Sequence, residues 1–115
     1  TGGTSGQIRF AMHTWETLSA AVHGFLDYFE CEVTHAYCVL PLYHVSGLMQ
    51  ALRTWLSGGQ LVVQPFKALL QGNRQIRPDS AWFISLVPTQ LHRLLSADIA
   101  NDLNDFTTWL SRFQA

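Results

Sequence analysis

The chain has little charge for its length and no long hydrophobic run. Asp, Glu, Lys and Arg make up 13% of its 115 residues, and the net charge is −1. Because a nucleic-acid surface needs clustered basic side chains, we expect no nucleic-acid partner. The most apolar stretch, residues 36–42, has the length of a strand and falls far short of the roughly 20 residues that span a bilayer. We therefore expect no membrane span.

Cysteine is also scarce, since the chain contains only Cys31 and Cys38. Two thiols cannot form the disulfide framework that small secreted domains use in place of a large core. Neither residue belongs to a Cys-x-x-Cys pair or has histidine at the spacing of a zinc site. The sequence predicts reduced structural thiols, no metal site and a cytoplasmic location.

Hydrophobic residues are abundant, at 48% of the chain, and aromatic residues make up 12%. This composition excludes intrinsic disorder and is more apolar than a free-standing small domain needs. The sequence begins at Thr1 inside a glycine cluster and stops at Ala115 without a helix cap or turn residue. We interpret residues 1–115 as part of one domain, truncated at both ends.

Strand-like and helix-like segments alternate along the chain. Apolar residues at a spacing of three and four predict a helix that begins at Trp15 and is capped by Thr14. The remaining apolar runs predict strands at 36–40, 61–63 and 82–87, and helices at 48–56, 67–76, 88–95 and within 98–110. This alternation predicts an α/β fold with part of a mostly parallel sheet and crossover helices. Ligands in such sheets bind at the carboxyl ends of the strands.

A glycine- and hydroxyl-rich loop opens the chain and is a candidate anion site. Glycine lets backbone N–H groups converge on one point, and serine or threonine hydroxyls add donors to phosphate oxygens. Arg9 adds a permanent positive charge nearby. The loop matches neither a Walker motif nor a dinucleotide fingerprint, and its composition alone fits a flexible turn equally well. Its candidate residues are Thr1, Gly2, Gly3, Thr4, Ser5 and Gly6.

The order of residues in this loop resembles the phosphate-binding loop of the adenylate-forming enzymes, which include acyl-CoA synthetases, luciferases and peptide-synthetase adenylation domains. Their pattern is roughly T-S-G-T-T-G-x-P-K, and this chain departs from it at Gly2, Ile8 and Arg9. The resemblance implies that the loop and Arg9 bind the phosphates of ATP. It also implies that the chain is a piece of the large N-terminal domain of such an enzyme.

The segment Pro-Leu-Tyr-His-Val-Ser-Gly at residues 41–47 follows a predicted buried strand, where an α/β site is expected. It resembles the P-L-F-H-x-x-G segment of the same superfamily. The resemblance places His44 beside the acyl carboxylate that attacks ATP, with Ser46 and Gly47 near the acid. Taken alone, His44 is better interpreted as a locally hydrogen-bonded residue of a strand-to-helix turn, and the matching loop upstream reverses that preference.

Two further features are most similar to the o-succinylbenzoate–CoA ligases of menaquinone and phylloquinone biosynthesis. One is Ser-Leu-Val-Pro-Thr-Gln-Leu at residues 85–91, and the other is Arg53, nine residues after His44. The resemblance implies that Arg53 pairs with the carboxylate that is not activated. The alternative is that Arg53 is a solvent-exposed residue of a helix with no ligand. Thr89 is either a pocket wall or simply the start of a helix.

The resemblance implies a carboxylic acid, ATP and CoA as substrates and Mg²⁺ as a cofactor. The Mg²⁺ ligand, the adenine loop and the small mobile domain of the family have no counterpart in these residues, so we do not expect residues 1–115 to catalyse the full reaction alone. Two alternatives stay open: an acyl- or aryl-CoA synthetase of other specificity, and a non-catalytic nucleotide-binding module, which the departures at Ile8 and Arg9 motivate. A homo-oligomer of the longer protein also stays open.

Overall fold

A parallel sheet organises the part of the chain that the structure describes. The structure is a computed structural model that describes residues 6–72, 79, 81–100 and 105–113. The three strands it describes pair in the order β2–β1–β3, and both pairings are parallel. This confirms the predicted α/β fold class. The elements in chain order are α1 (Trp15–Tyr28), β1 (His35–Cys38), α2 (Val45–Ser57), β2 (Leu61–Val63), α3 (Phe66–Leu70), β3 (Trp82–Ile84), α4 (Pro88–Ala100) and α5 (Asp105–Leu110).

The two faces of the sheet are covered by different helices, since successive residues of a strand point to opposite sides. On one face Tyr37 joins a buried cluster to which α3, α4 and α5 contribute Leu69, Leu94 and Trp109. On the other face Phe25 of α1 packs edge-on against Phe83, whose register partner in β1 is Ala36. The sheet is therefore a middle layer with helices on both sides.

Local signals explain where the first helices begin and end. Thr14 and Thr17 form a reciprocal capping box at the start of α1, as the cap predicted at Thr14 requires. At the C-terminal end of α2, Gly58 adopts a left-handed backbone with φ of 79°, a conformation that glycine adopts without steric cost. These residues fix the lengths of α1 and α2 before any tertiary packing is considered.

Several predicted boundaries were wrong, among them the end of β1, which is Cys38 rather than residue 40, and the end of α4, which is Ala100 rather than residue 95. Helix α2 begins at Val45 rather than at residue 48, because His44 already has the extended backbone of an N-cap. Strand β3 ends at Ile84 rather than at residue 87, because Ile84 is the last residue of β3 with a register partner in β1. Helix α3 ends at Leu70, and Gly72 follows in a left-handed turn. The rest of that predicted helix, residues 73–76, lies outside the described residues.

The described helices are all too short or too polar to cross a lipid bilayer.

The two cysteines differ in environment, and we predict that they react at different rates. Cys38 is fully buried and its thiol donates to the carbonyl oxygen of Leu40 at 3.3 Å, whereas Cys31 is half-buried. Burial raises the pKa of the Cys38 thiol, which reduces the fraction of reactive thiolate. Iodoacetamide at pH 8 should therefore alkylate Cys31 first and Cys38 only after denaturant is added, as followed by mass spectrometry. Equal labelling of both residues in the native protein would contradict the burial of Cys38.

Candidate functional site

The turn that follows β1 carries the predicted histidine. Residues 41–44 form an exposed turn in which the backbone N–H of His44 donates to the carbonyl oxygen of Pro41 at 3.1 Å. His44 is the N-cap of α2, with φ of −94° and ψ of 150°, and its side chain makes no capping hydrogen bond. The imidazole is exposed at the carboxyl end of the central strand. It is therefore placed where a ligand of a parallel sheet is expected.

Tyr43 accompanies His44 on this turn and was missed in the analysis of the sequence. Its side chain is 86% exposed, and its ring centroid lies 4.7 Å from that of His44 at an interplanar angle of 49°. The two rings form one aromatic surface beside the start of α2. The aromatic position immediately before the histidine of the motif was the signal that could have identified it.

Ser46 and Gly47 lie in the first turn of α2 but differ in exposure. Ser46 is exposed, and its carbonyl oxygen accepts a hydrogen bond of 3.1 Å from the side-chain amide of Gln50. Gly47 is buried against the backbone of Leu40 and Pro41. A direct contact of either residue with an acid stays a prediction.

An open cavity lies at the carboxyl ends of β1 and β2. Its volume of about 390 Å³ falls within the range of roughly 300–1,000 Å³ that is typical of small-molecule sites. Among the described residues that line it, only Gln64 has a polar side chain, and that side chain is 5% exposed. None of these residues is charged, so the cavity suits an uncharged carbon skeleton. The lining residues are Val39, Leu40, Pro41, Leu42, Val63, Gln64, Pro65 and Phe66.

The cavity adjoins the turn at residues 41–44 (the histidine turn), because Pro41 and Leu42 of that turn line the cavity and His44 follows them. No pattern in the sequence predicted this cavity. Two chain segments more than twenty residues apart form its walls, and only the pairing of β1 with β2 brings them together.

Arg53 lies on α2 in a half-buried position between α1 and the sheet. The guanidinium carbon lies 4.1 Å from the ring centroid of Phe25, a distance at which a cation is attracted to an aromatic face. Burial lowers the pKa of Arg53, and the nearby Cys38 sulfur acts in the opposite direction. No carboxylate within the described part of the chain affects the pKa of Arg53. The half-buried charge is thus able to receive a carboxylate from a ligand.

His44 and Arg53 occupy different parts of α2. Nine residues separate them, and a rise of about 1.5 Å per residue places them about 13 Å apart along the helix axis. Nine residues are also about two and a half helical turns, so the two positions lie on opposite sides of the axis of α2, and contact of one ligand with both side chains stays a prediction.

The remaining predicted residues are only partly described. Thr1, Gly2, Gly3, Thr4 and Ser5 lie outside the described residues, so their proximity to His44 stays a prediction. Gly6 has a left-handed backbone with φ of 70°, and Arg9 is exposed in the segment before α1.

Thr89 is exposed in the first turn of α4. The side-chain oxygen of its neighbour Gln90 accepts a hydrogen bond of 3.0 Å from the backbone N–H of Val87. This part of the segment 85–91 therefore stabilises the start of α4. A role of Thr89 as a pocket wall stays a prediction.

Across residues 6–72, 79, 81–100 and 105–113, no group of three or more His, Cys, Asp or Glu side chains comes together as a metal site.

A family model described as AMP-binding enzyme matches residues 1–113. No solved structure matches the chain. The matched residues include the glycine-rich loop, the histidine turn, Arg53 and Thr89.

Proposed function

The chain belongs to the AMP-binding enzyme family, and we propose that it forms part of the adenylation domain of an ATP-dependent acid–CoA ligase. The observation that supports this best is the exposed imidazole of His44 at the carboxyl end of the central strand, beside an apolar cavity. In the proposed reaction a carboxylate oxygen of the acid attacks the α-phosphorus of ATP, and pyrophosphate leaves. The thiol of CoA then attacks the acyl carbon of the adenylate, and AMP leaves.

This chemistry requires no nucleophile from the protein, because the substrate supplies the attacking oxygen. The protein must hold two anions together and stabilise the charge that develops at phosphorus. His44 would orient the acyl carboxylate, since its imidazole is exposed and makes no capping hydrogen bond. The loop at residues 1–6 and the cation of Arg9 would hold the phosphates of ATP.

Mg²⁺ bound to the triphosphate would offset part of its negative charge. The described residues contain no cluster of side chains that fits this ion. Its protein ligands are proposed to lie outside the described residues.

For the acid we propose an aromatic keto-diacid, o-succinylbenzoate. The uncharged cavity beside the histidine turn would accept part of the carbon skeleton. Arg53 would pair with the carboxylate that is not activated, because its half-buried guanidinium lacks a carboxylate partner among the described residues.

An acyl- or aryl-CoA synthetase of different specificity is the second candidate. The uncharged lining of the cavity favours it, because an apolar monoacid would fill that space without needing Arg53.

The enzyme that carries this chain is expected to release AMP and pyrophosphate when ATP, CoA and o-succinylbenzoate are supplied together. Coupled assays of both products measure this directly. Turnover with fatty or aryl monoacids but not with o-succinylbenzoate would contradict the proposed acid and leave the ligase reaction standing. Binding of ATP without pyrophosphate release for any acid would contradict the ligase reaction itself and indicate a nucleotide-binding module.

Arg53→Leu is expected to weaken use of the diacid by about 2–5 kcal/mol in kcat/KM, because one buried carboxylate loses its partner. Thermal unfolding should change little, since the described residues give Arg53 no ion pair to lose. Arg112→Leu, at an exposed position after α5, is the matched control and should leave kcat/KM unchanged. Equal activity of Arg53→Leu and the parent enzyme on the diacid would exclude the proposed ion pair.

His44→Ala is expected to lower kcat for acid-dependent pyrophosphate release by about 10²–10³-fold, the usual cost of removing one group that stabilises transition-state charge. The fold should persist, because the imidazole is exposed and does not cap α2. His92→Ala serves as the control, since His92 is exposed on α4 and contacts Ser96. A loss of less than threefold in His44→Ala would contradict a role of the imidazole in the adenylation step.

A further inference from the structure

Gly47 stands at a position where no side chain fits. A Cβ atom built there would lie 2.7 Å from the carbonyl carbon of Pro41 and 3.1 Å from the carbonyl oxygen of Leu40, and still closer to the carbonyl oxygen of Pro41. All three neighbours are backbone atoms, which cannot rotate aside as a flexible side chain would. Glycine is a poor helix former, and the lack of room for a side chain explains its presence in the first turn of α2.

The carbonyl group of Pro41 links this contact to the histidine. The same oxygen that closely approaches Gly47 also accepts the backbone N–H of His44 at 3.1 Å. The ring of Pro41 restricts its own backbone φ, so the carbonyl group is presented from a stiff position. One oxygen atom thus contacts both the residue before α2 and the first turn of α2.

Among the residues that the structure describes, the His44 side chain has one partner, the ring of Tyr43, which is itself exposed. The side chain of His44 does not hydrogen-bond the helix that it caps. The orientation of the imidazole therefore depends on where its backbone is held, and that backbone is held by Pro41 and by α2.

We propose that Gly47 is a positioning residue for His44, and that the close approach of Gly47 to the carbonyl group of Pro41 sets the distance from the imidazole to the acid. This rests on the proposed function. It assigns Gly47 an indirect role in place of direct contact with the acid. Any side chain at position 47 would push the first turn of α2 away from the turn at 41–44 and would move His44 with it.

Gly47→Ala tests the proposal in the enzyme that carries this chain. A displacement of about 1 Å at a reacting group can cost about 10²-fold in rate, so kcat/KM for the acid should fall by that order while the dissociation constant for ATP is unchanged. Gly24→Ala is the matched control: Gly24 lies within α1, and an added Cβ meets no atom within 4 Å. This control should retain full activity.

A double variant separates positioning from a general loss of structure. If Gly47 acts through His44, adding Gly47→Ala to His44→Ala should cause no further loss of acid-dependent pyrophosphate release. A multiplicative loss in the double variant would overturn the proposal. If Gly47→Ala does not fold, Pro41→Ala replaces it: that variant keeps the carbonyl oxygen and a side chain in the cavity lining but frees the backbone φ, and the position of the His44 ring resonance, rather than turnover, is then the readout.

The position of His44 can also be followed without any turnover. In protein labelled with ¹³C-histidine, the ring Cε1–H resonance of His44 should shift in Gly47→Ala and stay in place in Gly24→Ala. An unchanged resonance in Gly47→Ala would overturn the proposal even if the enzyme proved to use another acid or none. Absence of pyrophosphate release in the parent enzyme would instead count against the proposed function alone.

Discussion

The pairing of β1 with a parallel strand on each side is the constraint on which the described part of the molecule depends. Backbone hydrogen bonds to β2 and β3 place β1 in the buried middle of the described sheet, and the chain leaves β1 at its carboxyl end. Helix α2 must then begin beside that exit and run back over the sheet. The histidine turn, the cavity and the position of Arg53 all follow from this path.

The sequence predicted the class and order of the elements well because each depends on short-range signals. Alternating apolar runs identified the strands, and Thr14 with its partner Thr17 marked the start of α1. Boundaries that depend on distant partners were wrong. Strand β3 ends at Ile84, the last residue with a register partner in β1, and no pattern within residues 82–87 carries that information.

The candidate site shows the same division between local and distant information. His44 and Arg53 could be selected from motif and spacing, since both belong to one continuous segment. The cavity could not, because its walls come from the segments after two different strands. Nor could the burial of Gly47, since the contact with Pro41 exists only once α2 has folded back onto the end of β1.

Helix α2 also fixes the spacing between His44 and Arg53, the two polar groups of the proposed acid site. With 3.6 residues per turn, one inserted or deleted residue between His44 and Arg53 would rotate the guanidinium by about 100° and carry it away from the ring of Phe25. Length changes in this helix would therefore be far more disruptive than exchanges of side chains. Divergence in acid preference within such a scaffold is expected to proceed by substitution at a fixed helix length.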